Sequence, residues 1–176
     1  MKDLCNSFYE SNNQKINLID CLKLIKHKKS INCYDCLDAV RKLLPNSLEI
    51  LQKAFDSARE IKRFQSTEQA FGLLFDLGTK FREAKLVGKR DHDAGKIIFG
   101  EKYASNESET AKSNRRAKKE RTVSYKGTEE IVWQHLKIGN KESPNCTLRI
   151  HFFWDQEDEK IVISHCGKHL YIPPSR

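Results

Sequence analysis

The chain has 176 residues, 38% of them hydrophobic, which is enough for one or two folded domains with a real core. Lys and Arg outnumber Asp and Glu by 32 − 24 = 8, and a surface with this excess attracts polyanions, so nucleic acid is the expected partner. No run reaches the roughly 18 apolar residues of a membrane span. Residues 1–13 also lack the basic start and apolar stretch of a secretory signal. We therefore expect a cytoplasmic protein with no membrane partner and with reduced cysteines.

Helical spacing of apolar residues dominates residues 1–104, the predicted helical region. It predicts helices over 16–29, 34–44, 47–61, 70–84 and 91–103. Pro45 and Gly88 are expected to end two of them. The helix over 70–84 is the most apolar segment, so we expect it at the centre of the core. This region is also the expected contact for a protein partner.

A basic segment follows at 105–120, predicted as an exposed helix or a flexible joint. Its apolar content is too low for a buried element, and cations dominate its end. Six of them precede the next predicted strand, against the single acid Glu120: Lys112, Arg115, Arg116, Lys118, Lys119 and Arg121. Such a run can neutralise several phosphates with little sequence specificity, so it is the predicted nucleic-acid contact. A solvated linker is the alternative interpretation.

From residue 121 to 176 the apolar period changes from helical to strand-like. A turn at 126–128 predicts a first hairpin, although 128–138 also fits a short helix. The runs LRIHFFW and KIVISH, separated by an acidic turn, predict a second hairpin. The chain is therefore predicted to be an α+β protein, with about five helices in an N-terminal bundle and then a small antiparallel sheet of three to five strands.

Basic and imidazole side chains concentrate on this predicted sheet. Residues two apart share a face of a strand, and His151 and His165 share one if the turn between their strands holds an odd number of residues. Imidazole can take and return protons near neutral pH, and Arg or Lys can neutralise a phosphorane, so the group suits metal-free RNA cleavage. The candidate catalytic residues are His135, Arg149, His151, His165, Lys168 and His169. For any single histidine, a structural role bonded to backbone is the alternative.

The strands with basic residues and the final hairpin ending in a basic, histidine-containing tail resemble the RelE/ParE-type toxin fold over residues 105–176. Ribonucleases of that family cut messenger RNA on the ribosome with a basic, metal-free site. The resemblance implies that Arg149 binds phosphate on a central strand and that His165, Lys168 and His169 form the tail. It also implies a further proton-transfer group, Tyr125 or His135.

The leading hypothesis is a cytoplasmic toxin or defence-associated protein that engages RNA, with metal-independent endoribonuclease activity as its candidate chemistry. The alternative is a non-catalytic nucleic-acid-binding or adaptor subunit of a larger complex. No cofactor and no metal is predicted. A third interpretation is a zinc-stabilised module, because two pairs with zinc-ligand spacing could form a Cys₃His site. Those four residues are Cys33, Cys36, Cys166 and His169.

Overall fold

The computed structural model describes residues 30–61, 63–139 and 146–174. The chain divides into two compact units, Met1–Ile31 and Asn32–Arg176, and every element below belongs to the second. The helix predicted over 16–29 lies outside the described residues. The α-helices are α1 Cys33–Leu43, α2 Gln52–Arg59, α3 Thr67–Asp76, α4 Arg82–Leu86, α5 Asp91–Phe99, α6 Glu109–Ser113 and α7 Arg115–Arg121. The strands are β1 Leu48–Ile50, β2 Tyr103–Ala104, β3 Thr122–Tyr125, β4 Thr128–Ile131, β5 His135–Ile138, β6 Leu148–Asp155 and β7 Lys160–Gly167.

Five strands form the main sheet in the order β1-β7-β6-β5-β2, and β3 and β4 form a separate two-stranded sheet. Both predicted hairpins are confirmed, as β3–β4 and β6–β7. The mixture of helix and sheet is confirmed as well. The main sheet is not purely antiparallel, because β1 runs parallel to β7. The strands β1 and β2 come from the predicted helical region, so that region is not a separate helical bundle. The predicted boundaries near residues 104 and 121 stay predictions.

Helix α1 is confirmed close to its predicted bounds. Asn32 accepts a hydrogen bond from the backbone N–H of Asp35, and the Asp35 side chain accepts one from the backbone of Asn32, which makes a capping box. Pro45 follows shortly after its end. The helix predicted from Ser47 is wrong at its start, because Leu48–Ile50 is strand β1 and the helix begins at Gln52. Three residues are too few for a strand period to stand out from helical spacing.

The predicted apolar helix over 70–84 is confirmed as a continuous helical run from α3 to α4. A π-helical segment, Leu77–Phe81, joins the two. The side chain of Phe81 is completely buried and meets the ring of Phe152 on β6 edge-to-face, with ring centroids 5.3 Å apart. This contact joins the helical run to the apolar face of the main sheet. Gly88 follows with a positive φ of 79°, as expected for a residue that ends a helix.

The basic segment forms two short helices, α6 and α7, rather than a flexible joint. Ser108 caps α6 by accepting a hydrogen bond from the N–H of Ala111, and Asn114 caps α7 through the N–H of Ala117. Ala111 and Ala117 are fully buried, so small side chains seat both helices on the protein. Within the described residues, no helix is long and apolar enough to cross a bilayer.

Candidate functional site

Three histidines lie directly opposite one another on adjacent strands of the main sheet. His135 on β5 pairs with His151 on β6, which pairs with His165 on β7. The ring centroids of His135 and His151 are 4.7 Å apart and the rings are stacked; those of His151 and His165 are 5.6 Å apart, edge to face. We call these residues the histidine row. The predicted clustering of these histidines is thus observed.

A β-bulge brings His165 into the histidine row. The turn between β6 and β7 holds four residues, an even number, and near the turn Phe152 pairs with Ile163. Continued without interruption, this register would place Ser164 opposite His151 and point His165 to the other face. The register shifts between His151 and Phe152, and Ser164 is the extra residue. The extra residue of the bulge therefore places His165 on the same face as His151, although the turn has an even number of residues.

The histidine row is buried and its rings donate to backbone carbonyls. His135 is 5% exposed, His151 2% and His165 7%. Nδ1 of His135 lies 3.0 Å from the carbonyl oxygen of Trp133, and Nδ1 of His151 lies 3.2 Å from that of Val132. Nε2 of His165 lies 2.8 Å from the carbonyl oxygen of Lys168. Because a carbonyl oxygen only accepts, each of these nitrogens carries the hydrogen.

Burial is the main cause of a lowered pKa in all three histidines, because a charged imidazolium loses its hydration there. For His165 the pKa falls to about 4, and nearby Lys53 and Arg121 add to the effect. Burial lowers the pKa of His151 well below its usual value, and the neighbouring His135, His165 and Arg121 add to the effect. The histidine row is therefore neutral at neutral pH.

A buried ion pair lies beside the histidine row. The Nε and Nη2 atoms of Arg121 donate to Oε1 of Glu107 at 3.1 and 2.7 Å. The Arg121 side chain is fully buried and that of Glu107 is 8% exposed. Arg121 also donates to the carbonyl oxygens of Ala117 and Tyr171. Arg121 therefore stands apart from the other five predicted phosphate contacts: its guanidinium is committed inside the protein. Glu107 is a site residue that the sequence analysis missed.

The remaining predicted catalytic residues are split between interior and surface. Arg149 is buried, and its Nη1 donates to the carbonyl oxygens of Ile138 and Leu148, while its Nε has no hydrogen-bond partner. Burial lowers the pKa of Arg149. Lys168 is exposed, and Nδ1 of the half-buried His169 donates to the carbonyl of Leu170 at 2.7 Å. The structure thus gathers His135, His151, His165 and Arg149 in the interior and leaves Lys168 outside.

The three cysteines of the third interpretation come near one another. Cys33, Cys36 and Cys166 are completely buried, and the pKa of Cys166 is raised well above its usual value by burial, with Cys33 and Cys36 adding to the rise. Burial also raises the pKa of Cys33 to about 12. In the described part of the chain, the four residues proposed for zinc do not bring three ligand atoms within 4.8 Å of one another. Buried protonated thiols of this kind behave as small apolar side chains.

The outer side of α7 carries most of the predicted phosphate contacts. Arg115, Arg116, Lys118 and Lys119 are exposed, and Lys112 on α6 is partly exposed. Lys112 pairs with Glu109 at 2.6 Å, and Arg116 pairs with Glu120 at 3.1 Å. We call this set of five residues the basic surface.

A cavity of about 460 Å³ lies by the tips of the two hairpins. The hydroxyl of Tyr125 donates to Asp155 at 2.8 Å, and Lys126 forms ion pairs with Asp155, Glu157 and Asp158. Phe153 and Trp154 also line the cavity. Because carboxylates outnumber the one lysine among these residues, the cavity repels phosphate.

The chain matches no protein-family model, no curated protein and no solved structure. The resemblance to RelE/ParE-type toxins therefore stays a prediction.

Proposed function

We propose that the protein binds nucleic acid, with RNA favoured, through the basic surface. The observation that carries this proposal is the construction of α7. Its inward side is Ala117 and Arg121, both buried, and its outward side is four exposed cations on seven residues. A rigid helix holds these charges at fixed spacing, which suits contact with successive phosphates.

Three of the cations on α7 are available for an external anion. Within the described residues Arg115, Lys118 and Lys119 have no carboxylate partner, whereas Arg116 shares its charge with Glu120. The chain as a whole has a net charge of +8, which adds long-range attraction. Binding through these groups is expected to depend on salt and only weakly on sequence.

We expect the triple substitution Arg115→Gln, Lys118→Gln and Lys119→Gln to weaken binding to a single-stranded RNA and to reduce its salt dependence. Each lost phosphate contact removes about 0.7 from the slope of log K against log salt concentration, so three remove about 2. Fluorescence anisotropy over a salt series measures both quantities, with a DNA strand of the same sequence as the comparison.

The matched control is the triple substitution Lys89→Gln, Lys96→Gln and Lys102→Gln. These lysines are also exposed, and the change in net charge is the same. The proposal requires the control to keep most of the affinity and the slope of the unchanged protein. Equal losses in the two variants would mean that net charge alone attracts RNA.

A second candidate is metal-independent cleavage of RNA, favoured by the alignment of three histidines beside Arg149. Burial of the histidine row weighs against it, because a reacting phosphate has to reach the imidazoles.

We expect an active protein to cleave RNA in EDTA, to leave DNA intact, and to lose cleavage but not binding in His165→Gln and Arg149→Lys. The assay is run with and without ribosomes. Cleavage retained in both variants, with circular dichroism unchanged, would place the activity outside the histidine row. No cleavage by the unchanged protein, with or without ribosomes, would contradict this candidate.

A toxin or defence role, a cytoplasmic location and a protein partner on the helical region are further parts of the proposal. Exposed apolar side chains support a protein partner: Ile97 on α5 is 71% exposed, and Val87, the residue after α4, is 75% exposed. The toxin role rests on the resemblance described above. Growth arrest upon induced expression, absent in the triple variant of the basic surface, is the expected result.

A further inference from the structure

Glu107, His135 and His151 place metal-binding atoms close together in the interior. One atom from each, a carboxylate oxygen and two ring nitrogens, lies within 4.8 Å of the other two. The residues come from three places in the chain: the segment before α6, strand β5 and strand β6. Both imidazoles are buried, and the Glu107 side chain is 8% exposed. In the described part of the chain, no other group of three His, Cys, Asp or Glu residues brings its possible ligand atoms this close together.

The backbone fixes which nitrogen of each imidazole can bind a metal. Nδ1 of His135 and Nδ1 of His151 donate to the carbonyl oxygens of Trp133 and Val132. The lone pair of each neutral ring is then on Nε2. None of the hydrogen bonds described for the two residues involves Nε2, and Nδ1 of His135 lies 3.8 Å from Oε1 of Glu107, the oxygen that Arg121 also contacts. Metal-binding histidines are commonly oriented in this way, with the second nitrogen held by a backbone carbonyl.

The carboxylate of Glu107 is also oriented. Arg121 contacts Oε1 with two of its nitrogens, and the described residues form no hydrogen bond to Oε2 of Glu107. A guanidinium near a divalent cation costs electrostatic energy, but it also keeps the carboxylate ionised and in place. Within the group Glu107 would offset one of the two charges of a divalent ion, and both imidazoles would bind as neutral ligands.

We propose that Glu107, His135 and His151 form a binding site for a divalent transition-metal ion, with Zn²⁺ the ion best suited to the ligands. Imidazole and carboxylate both bind Zn²⁺, and three protein ligands leave the fourth tetrahedral position to water. The ion would join the segment that leads into α6 to β5 and β6. It would thereby hold the helices of the basic surface against the sheet. The proposal does not depend on nucleic-acid binding, because none of its ligands belongs to the basic surface.

The test is zinc binding by the full chain after treatment with EDTA and removal of the chelator. Isothermal titration and elemental analysis after dialysis are expected to give one Zn²⁺ per chain, and the ion should raise the thermal midpoint. His135→Gln and His151→Gln should each weaken binding by about 100-fold or more, since even indirect partners of a metal commonly contribute 10- to 100-fold. His92→Gln, which removes an exposed histidine on α5, should bind like the unchanged protein.

A spectrum of the unchanged protein with Co²⁺ makes the test independent of whether a variant folds. Ligation by imidazole and carboxylate predicts d–d bands without an intense sulfur-to-metal charge-transfer band. The charge-transfer band would place the ion on the thiols of Cys33, Cys36 and Cys166 and would overturn the proposal. So would a folded protein that takes up no stoichiometric zinc, or equal affinity in the His135→Gln, His151→Gln and His92→Gln variants with circular dichroism intact.

Discussion

Replacing Arg121 by Met is expected to lower the free energy of unfolding by about 3–5 kcal/mol in metal-free buffer, the usual cost of breaking a buried ion pair from one side. The substitution leaves the carboxylate of Glu107 in the interior without its guanidinium. It also removes one of the two hydrogen bonds that tie Tyr171 in the C-terminal segment to α7, and the bond from the N–H of Tyr171 to Glu120 stays. Urea unfolding followed by circular dichroism measures the change.

Lys118→Met is the matched control, because it removes a cation from the same helix at an exposed position. Its effect is expected to stay within about 0.5 kcal/mol. A second variant removes both charges: Glu107→Leu with Arg121→Met should recover much of the lost stability, since no buried charge then lacks a partner. If Arg121→Met and Lys118→Met unfold at the same urea concentration, the ion pair is not buried in solution.

Arg121 shows where a charge pattern stops being informative. In the sequence it is the last of six cations, and nothing local distinguishes it from Lys118 or Lys119. Its different position follows from Glu107, 14 residues earlier, and from Tyr171, 50 residues later. Both contacts exist only after the chain has folded. The other cations of the run are at least partly exposed. This was predictable, because the segment has too few apolar residues for a helix that is buried on several sides.

The sheet was predictable where its strands are long and locally paired. β6 and β7 are eight residues each, rich in β-branched and aromatic side chains, and joined by a short turn. β1 has three residues and pairs with a strand more than 100 residues away, so its identity depends on a tertiary contact. The alignment of the histidine row also depends on the bulge at Ser164, and no residue type in the sequence indicates that bulge.

Acidification of the metal-free protein is expected to destabilise it steeply between pH 6.5 and about pH 4.5. Above pH 6.5 the histidines of the row are neutral in both the folded and the unfolded chain, so they add no pH dependence. Below that value the three histidines bind protons in the unfolded chain but stay neutral in the folded chain. The reason is that burial lowers the pKa of each of them, to about 4 for His165. Each such proton lowers the free energy of unfolding by up to about 1.4 kcal/mol per pH unit, so three histidines together give a slope of up to about 4 kcal/mol per pH unit.

Urea unfolding at a series of pH values tests this dependence. His165→Gln should reduce the slope by up to about 1.4 kcal/mol per pH unit, because one buried imidazole is gone. His92→Gln, which removes an exposed histidine on α5, is the control for the loss of an imidazole outside the histidine row. The same slope in His165→Gln as in the unchanged protein would show that the imidazole of His165 can be protonated without cost in the folded state.

The carboxyl group of Asp155 affects stability at lower pH than the histidine row does. Burial raises the pKa of Asp155, but hydrogen bonds from Lys126 and Tyr125 outweigh it, so the pKa lies below its usual value. A lowered carboxyl pKa gives stability that is complete above the unfolded value of about 3.9 and is lost as the pH falls through the folded value. The stability from Asp155 begins to fall only at a pH where the histidine row has already caused nearly all of its destabilisation. A transition centred near pH 5.5 therefore reports on the buried imidazoles.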